Sequence, residues 1–198
     1  VYSLLGRSHQ TLEDLAIIGS LAGVTTLSPG SDAEMRDSVL WAVQQDSPVY
    51  LRMGKSGGVY SGSNSSGRPE PTKFSGSSEK ATAAVLAHGA MVSQVVQVRE
   101  MIPDYALDYW SCPNVFPVPE TFLATLHNDY SKIFVVEEHS LRGGLASELL
   151  LRLRNTSIEI YPIVAEAPAT NQVGSYEWNL AQHGLSTERI ANKIKSRF

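Results

Sequence analysis

One stretch in the second half of the chain, residues 132–151, most constrains the fold. Ile133 to Val136 form an unbroken apolar, mostly β-branched run, which predicts a strand buried on both faces. After the Gly143-Gly144 pair, apolar residues return at helical spacing. A buried strand followed by a loop and a helix is typical of α/β proteins, in which parallel strands are joined through helices.

Three ionisable residues, Glu137, Glu138 and His139, come directly after this apolar run. Open α/β sheets place their ligand crevices at the carboxyl ends of their strands, so a functional site is to be sought near this edge. The alternative is a solvated turn, which is the more frequent case in α/β folds. We assign these residues no catalytic role and expect the loop either to contact a partner subunit or to order the strand edge.

Composition excludes several classes of protein. With 18% charged and 42% apolar residues and a net charge of -4, the 198-residue chain is predicted to be globular, soluble and mildly acidic. Scattered Lys and Arg residues predict no nucleic-acid surface. Short apolar runs and a start without a signal-peptide pattern predict no membrane association and a cytoplasmic location. The single cysteine, Cys112, is interpreted as a small buried hydrophobe.

The first part of the chain predicts two helices and two strands. Thr11 is the expected N-cap of a largely buried helix that Gly23 ends, and Val24 to Leu27 follow as a strand. Ser31 to Glu34 form a capping box at the start of a second helix, and Pro48 to Met53 return as a strand. The two strands should be parallel, but they are too few to make a sheet that is buried on both faces.

The remaining chain divides into a linker and a second domain. Residues 54–78 are rich in Gly, Ser, Asn and Pro and predict a long surface linker, because they bury too little apolar surface to order themselves. The predicted organisation is a first domain at residues 1–55, a linker at 56–79 and a second domain at 80–198. The last part should be a small doubly wound α/β layer, with strands at 81–87, 107–111, 133–136 and 158–164 and helices at 90–101, 119–128, 176–183 and 188–197.

Several motifs, in a fixed order, carry a resemblance over nearly the whole chain. The motifs are Gly6-Arg7-Ser8-His9-Gln10-Thr11-Leu12-Glu13-Asp14, Ser28-Pro29-Gly30-Ser31-Asp32-Ala33-Glu34, Pro48-Val49-Tyr50-Leu51-Arg52-Met53-Gly54-Lys55, Val135-Val136-Glu137-Glu138-His139 and Gly143-Gly144-Leu145-Ala146-Ser147. Their order resembles the carboxyl-terminal half of transketolases, and most closely the small subunit of the split form.

The resemblance implies an enzyme that uses thiamine diphosphate and magnesium to move two-carbon ketol units between sugar phosphates. Residues 1–55 would be the second half of the pyrimidine-binding domain, with a partial parallel sheet, and 80–198 the C-terminal domain. The family's cofactor-activating glutamate and its diphosphate-magnesium site lie upstream of the matching motifs. We therefore expect the chain alone to be inactive and not to bind the cofactor tightly. The expected partners are a second copy or a complementary N-terminal subunit, and a sugar phosphate as substrate.

Three residues carry the family's roles over to this sequence. His9 matches a histidine near the cofactor and the reacting carbon, where a neutral imidazole would hydrogen-bond a developing alkoxide. It is therefore the expected catalytic and cofactor-binding residue. Lys55 stands where relatives hold the substrate phosphate with an arginine, and Arg52 is the second candidate. Leu5 replaces an acidic residue that binds the donor sugar, so the substrate stays open. No metal ligand is predicted.

Two other interpretations stay open. The chain could be the corresponding part of a deoxyxylulose phosphate synthase or of a 2-oxoacid decarboxylase beta subunit, which share this layout. It could also be a non-catalytic assembly or binding module. The sequences Tyr50-Leu51-Arg52 and Glu137-Glu138-His139 favour transketolase among the enzymes.

Overall fold

The computed structural model describes residues 9–54, 58–62, 66–77, 80–167, 172 and 174–198. Within these ranges the elements alternate as an α/β protein requires. The helices are α1 (Asp14–Gly19), α2 (Asp32–Ala42), α3 (Met91–Met101), α4 (Glu120–Asp129), α5 (Leu145–Arg152), α6 (Tyr176–Gln182) and α7 (Thr187–Lys195), and the strands are β1 (Thr25–Leu27), β2 (Val49–Leu51), β3 (Thr72–Ser75), β4 (Ala83–Ala87), β5 (Leu107–Ser111), β6 (Asn114–Phe116), β7 (Lys132–Glu137) and β8 (Glu159–Val164).

A five-stranded sheet forms the larger part of the fold, with the order β3-β5-β4-β7-β8. Its last four strands are parallel, and β3 runs antiparallel to β5. The central strands β4 and β7 are buried on both faces, as the apolar run predicts. Apolar side chains of α3, α6 and α7 cover one face and those of α4 and α5 cover the other. The predicted doubly wound α/β layer is confirmed.

The front piece, which we define as residues 1–55, contributes a small sheet of order β2-β1-β6. β1 and β2 are parallel, as predicted, with Thr25 opposite Val49. The additional strand, β6, comes from the C-terminal part and pairs antiparallel with β1, with Thr26 opposite Phe116. Backbone hydrogen bonds from Ser28 N to Pro113 O (2.7 Å) and from Gly89 N to Ser28 O (2.8 Å) continue this join. The front piece and the C-terminal part are therefore joined by backbone hydrogen bonds as well as by the chain between them.

The predicted linker contains ordered structure, which corrects the sequence-based expectation. Thr72–Ser75 form β3 on the edge of the larger sheet. Tyr60 is only 8% exposed, and its ring lies 5.1 Å from that of Phe74. The average composition of the segment concealed these two aromatic side chains, which bury enough surface to order their neighbours. The boundaries 1–55, 56–79 and 80–198 stay predictions.

The first helix is shorter and more exposed than predicted. It begins after Glu13, whose side chain makes no cap, so Thr11 is not its N-cap. Ile17 is 63% exposed, because a six-residue helix turns only a narrow stripe, around Leu15, towards the sheet. Leu21, which the sequence predicts to be part of the helix, lies beyond its end and is 53% exposed. The second helix begins as predicted.

The second helix has half of the predicted capping box: Ser31 Oγ accepts from Glu34 N at 3.0 Å, but Glu34 Oε2 accepts from Gly30 N at 2.7 Å, one residue before the N-cap. None of the helices in the described ranges is both long and apolar enough to span a bilayer.

The Gly143-Gly144 pair brings the loop after β7 against the backbone of α1. Gly143 has φ +75, and a Cβ there would lie 2.3 Å from Ala16 Cβ. Nearby, Ser140 N donates to Leu12 O at 2.9 Å. Only glycine combines the left-handed conformation with so close an approach. This loop is therefore a second place where the C-terminal part holds the front piece.

Two glycine substitutions separate conformational strain from this close approach. Gly23 has φ +79, and a Cβ there would meet no atom within 4 Å. Gly23→Ala should lower the free energy of unfolding by about 1–2 kcal/mol, from the left-handed backbone alone. Gly143→Ala should lower the free energy of unfolding by about 1–3 kcal/mol more than Gly23→Ala does, because the new Cβ would force Ala16 to move. Urea denaturation of both variants measures the difference, and equal losses would show that α1 is not held at this contact.

Candidate functional site

Four polar residues stand at the carboxyl ends of four strands, where the two sheets meet. Ser28 follows β1, Arg52 follows β2, His88 follows β4 and Glu137 ends β7. Side-chain contacts link Ser28, His88 and Glu137, and Arg52 reaches the residue after Glu137. The candidate functional site therefore lies at the strand edge at which the α/β pattern places ligand crevices.

Glu137 binds the N-terminus of α5 and is fully buried. Its Oε2 accepts from Leu145 N at 2.8 Å and its Oε1 accepts from Ala146 N at 3.0 Å. A carboxylate in this position satisfies two otherwise unpaired N–H groups and suits the helix dipole. A Cβ on Gly144 would lie 2.3 Å from Oε2, so this glycine leaves room for the carboxylate. Glu137 therefore joins the end of β7 to the start of α5, and contact of this loop with a partner subunit stays a prediction.

His88 connects β1 and β7 through its two ring nitrogens. Nε2 lies 3.3 Å from Glu137 Oε2, and Nδ1 lies 3.0 Å from Ser28 Oγ. Because a carboxylate only accepts, Nε2 is the donor of the first contact. The order Ser-His-acid resembles a hydrolase triad, but all three side chains are buried and the carboxylate already holds a helix. We interpret this network as a tie between strand ends.

The other two residues of the loop make separate contacts. Glu138 Oε2 accepts from Tyr176 Oη at 2.8 Å. His139 Nδ1 lies 2.8 Å from Ser140 O and must donate to it, so Nε2 is the acceptor nitrogen. Nε2 is buried and has no partner among the described residues. Burial lowers the pKa of His139, which keeps the ring neutral.

Arg52, a predicted phosphate ligand, is held at the junction and is 15% exposed. Its Nε donates to Asp14 Oδ2 at 2.8 Å, and its Nη2 donates to Glu138 O at 3.0 Å. Tyr50 Oη donates to the same Asp14 oxygen at 3.0 Å. Sequence reasoning missed Asp14 and Tyr50, because an acid in the first turn of a helix and a tyrosine in a strand carry no local sign of their partner.

The other predicted site residues lie at the limits of the described chain. His9 is exposed where the described residues begin, five positions before α1. Nη2 of Arg52 also lies 3.5 Å from Thr11 O, so the segment after His9 passes beside Arg52. Lys55 and Leu5 fall outside the described residues. The roles of His9, Arg52 and Lys55 remain predictions.

Glu34 forms a second buried polar centre, which sequence reasoning identified only as part of a capping box. Its Oε2 accepts from Gly30 N at 2.7 Å and from Ser111 Oγ at 3.0 Å, and its Oε1 accepts from Tyr60 Oη at 3.0 Å. Burial raises the pKa of Glu34 in spite of these donors. The carboxyl group joins α2 to β5 and to the segment around Tyr60.

The role of Glu137 can be tested with an isosteric variant. Glu137→Gln replaces one acceptor oxygen with an NH₂ group that faces a backbone N–H, so it should lower the free energy of unfolding by about 1–3 kcal/mol. Glu120→Gln is the control, since Glu120 is 79% exposed in the first turn of α4 and should change stability by less than about 0.5 kcal/mol. Urea denaturation at pH 7 compares the two, and similar small effects would mean that Glu137 does not hold α5.

The raised pKa of Glu34 predicts a pH dependence of stability. Because the folded pKa lies above the unfolded value of about 4.3, folding favours the protonated carboxyl. This contribution is complete below the unfolded pKa and is lost as the pH rises through the folded pKa. The free energy of unfolding of the wild type minus that of Glu34→Gln should therefore fall as the pH rises above about 4.3. Denaturation from pH 4 to 8 measures the difference, and a rise would contradict the prediction.

The expected cofactor finds few ligands in the described residues. Within the part of the chain that the structure describes, no group of three or more His, Cys, Asp or Glu side chains could hold a metal ion. The magnesium-diphosphate end of thiamine diphosphate therefore has no fit among these residues. We derive no catalytic step through the cofactor from them.

Comparison with known proteins identifies relatives along the whole chain. The family model described as "Transketolase, C-terminal domain" matches residues 75–190. The 1-deoxy-D-xylulose-5-phosphate synthase of Chlamydia muridarum is 27% identical over 98% of this chain and 31% of its own length. That of Chlamydia trachomatis serovar L2 is 28% identical, with the same coverage. The chain thus spans about a third of the length of these curated relatives.

Solved structures share the fold. A split-gene transketolase, solved as an inactive β4 tetramer, superposes with a TM-score of 0.81 at 23% identity, over 96% of this chain and 62% of that chain. A transketolase from Campylobacter jejuni superposes with a TM-score of 0.70 at 16% identity, over 98% of this chain and 29% of that chain. The family match at residues 75–190 covers more than half of this chain, so the chain belongs to the transketolase C-terminal domain family.

Proposed function

We propose that this chain is the C-terminal part of a thiamine-diphosphate-dependent, transketolase-like enzyme, which transfers two-carbon ketol units between sugar phosphates. The observation that carries the proposal is the family match at 75–190, with a join to the front piece built from backbone pairing. The chain is not active alone. Thiamine diphosphate and magnesium act in the complete enzyme, with most of their ligands supplied by the N-terminal part.

Its partner is a complementary N-terminal subunit or a second copy of the chain. Strand β2 stands at one end of the small sheet, and a sheet edge is a surface for further pairing. Among the described residues of the front piece, six large apolar side chains are exposed, and a partner subunit would cover them. These are Ile17, Leu21, Val39, Leu40, Val43 and Met53.

In the assembled enzyme, His9 is the residue proposed to act on the substrate. Its neutral imidazole donates to the oxygen on which negative charge develops, and it also borders the cofactor. Lys55 is the first candidate for the substrate phosphate, since it carries a cationic donor. Arg52, the second candidate from the sequence, is already hydrogen-bonded to Asp14 and Glu138. The cytoplasmic location and the absence of nucleic-acid and membrane partners stay predictions from composition.

The curated relatives favour a second candidate activity. Both are 1-deoxy-D-xylulose-5-phosphate synthases, matched over 98% of the chain. The sequences Tyr50-Leu51-Arg52 and Glu137-Glu138-His139 favour transketolase. The two activities share a layout and differ in product, so the products distinguish them.

The deciding experiment co-expresses the chain with the part that binds the diphosphate, taken from the same genome. Ketol transfer between sugar phosphates and formation of 1-deoxy-D-xylulose 5-phosphate are assayed on the same purified complex. The first activity supports the proposal and the second supports the runner-up. A stable complex that carries out neither reaction would overturn both and support an assembly module.

Removal of His9 should affect turnover and leave the fold intact. In the active complex, His9→Ala should lower kcat by about 100-fold, the usual loss for a donor aimed at developing charge. Its melting temperature should not change, because the side chain is exposed and its loss leaves no core cavity. Steady-state kinetics and a thermal melt of the same preparation give both values.

The matched control is His127→Ala, which removes an exposed histidine in the last turn of α4. It should leave both kcat and the melting temperature unchanged. If His9→Ala keeps full turnover in an active complex, His9 does not belong to the site.

A further inference from the structure

We propose that Arg52 and Asp14 form a clamp that positions the His9 segment, residues 9–14, and that Arg52 acts through this segment and does not bind the substrate phosphate. Tyr50 completes the clamp, because its Oη donates to the same Asp14 oxygen as Arg52 Nε does. The inference rests on the proposed function in so far as His9 acts on the substrate. The contacts that define the clamp are independent of it.

The hydrogen bonds of Arg52 leave it poorly suited to bind a phosphate. Phosphate binding by arginine is strongest when two parallel N–H groups of one guanidinium edge face two oxygens. Nε already donates to Asp14 Oδ2 at 2.8 Å. Nη2 donates to Glu138 O at 3.0 Å and lies 3.5 Å from Thr11 O. Each guanidinium edge that includes Nη2 is therefore already engaged, and a phosphate would have to displace a contact.

The same contacts fix the segment at several points within a few residues. Arg52 reaches Thr11 O and the Asp14 carboxylate, and Ser140 N donates to Leu12 O at 2.9 Å. Three anchors between positions 11 and 14 restrict the backbone that carries His9. A loop histidine needs such support, because a displacement of about 1 Å at a reacting group costs about 100-fold in rate.

The clamp is buried enough for the loss of one partner to matter. The side chains of Arg52 and Asp14 are 15% and 10% exposed. Asp14 Oδ1 and His139 Nε2 are both buried acceptors without a partner among the described residues. Arg52 and Asp14 both act electrostatically on the His139 ring, so the three groups share one environment. Removing Arg52 would leave the Asp14 carboxylate with the Tyr50 hydroxyl as its donor among the described residues.

Two variants test the clamp from its two sides. Arg52→Lys keeps the positive charge but cannot hold Asp14 and Glu138 O together. Asp14→Asn keeps the shape and removes the charge, and Asp14 is not a group that attracts a phosphate. Arg152→Lys is the control, because Arg152 pairs with Glu120 on the surface of α4 and α5.

The first measurement is steady-state kinetics on the complex with the diphosphate-binding part. The clamp predicts that both variants lower kcat by about 10- to 100-fold and change KM for the sugar phosphate by less than about twofold. Their effects should not add in the double variant, because both break one interaction. A phosphate role for Arg52 predicts the opposite: a higher KM in Arg52 variants for phosphorylated sugars alone, with Asp14→Asn close to wild type.

The second measurement needs no activity. Hydrogen–deuterium exchange of the full chain should become faster in a peptide covering residues 9–17 in both variants, and should not change in Arg152→Lys. If the wild-type complex transfers no ketol group, the proposed function fails while exchange still decides the clamp. Unchanged exchange in Arg52→Lys and Asp14→Asn overturns the clamp whatever the activity. Thermal melts identify any variant whose loss of activity comes from global unfolding.

Discussion

The carboxylate of Glu137 at the N-terminus of α5 is the interaction on which the rest of the structure depends. It stands at the end of a fully buried strand, where an uncompensated charge would be very costly, and two backbone N–H groups compensate it. Gly144 makes room for it, and the adjacent Gly143 lets the same loop approach Ala16. One loop therefore fixes α5 against β7 and places α1 against the C-terminal part.

At the candidate site, the contacts between the front piece and the C-terminal part are polar. Strand β6 pairs with β1 through backbone atoms, and His88, Arg52 and Glu34 each connect different elements. Apolar clusters on the two faces of the larger sheet stabilise the fold, and one of them includes Leu15 of the front piece. The buried hydrogen bonds of the join add a further constraint, since a buried group left unpaired costs about 1–3 kcal/mol.

Sequence patterns predicted the features that depend on neighbouring residues, and they missed the features that depend on residues far apart in the chain. The buried strand at Ile133 to Val136, the helix start at Ser31 and the doubly wound layer all follow from spacing and are confirmed. The strand inside the predicted linker depends on β5 and on two aromatic rings, and no local average shows it. Asp14 is 38 residues from its partner Arg52, and Ser111 is 77 residues from its partner Glu34, beyond any motif.

The position of the site at a junction explains why its residues look ordinary one at a time. Glu137 ends a strand, and Ser28, Arg52 and His88 each directly follow one, which is a common place for a polar residue. Their meeting depends on the order of the strands in two sheets, which sets β1 beside β6 and β4 beside β7. Once the strands have this order, the four side chains have few alternative partners. The fold therefore determines the geometry around Arg52 and around His139. Under the proposed function, this scaffold would also position the loop that carries His9.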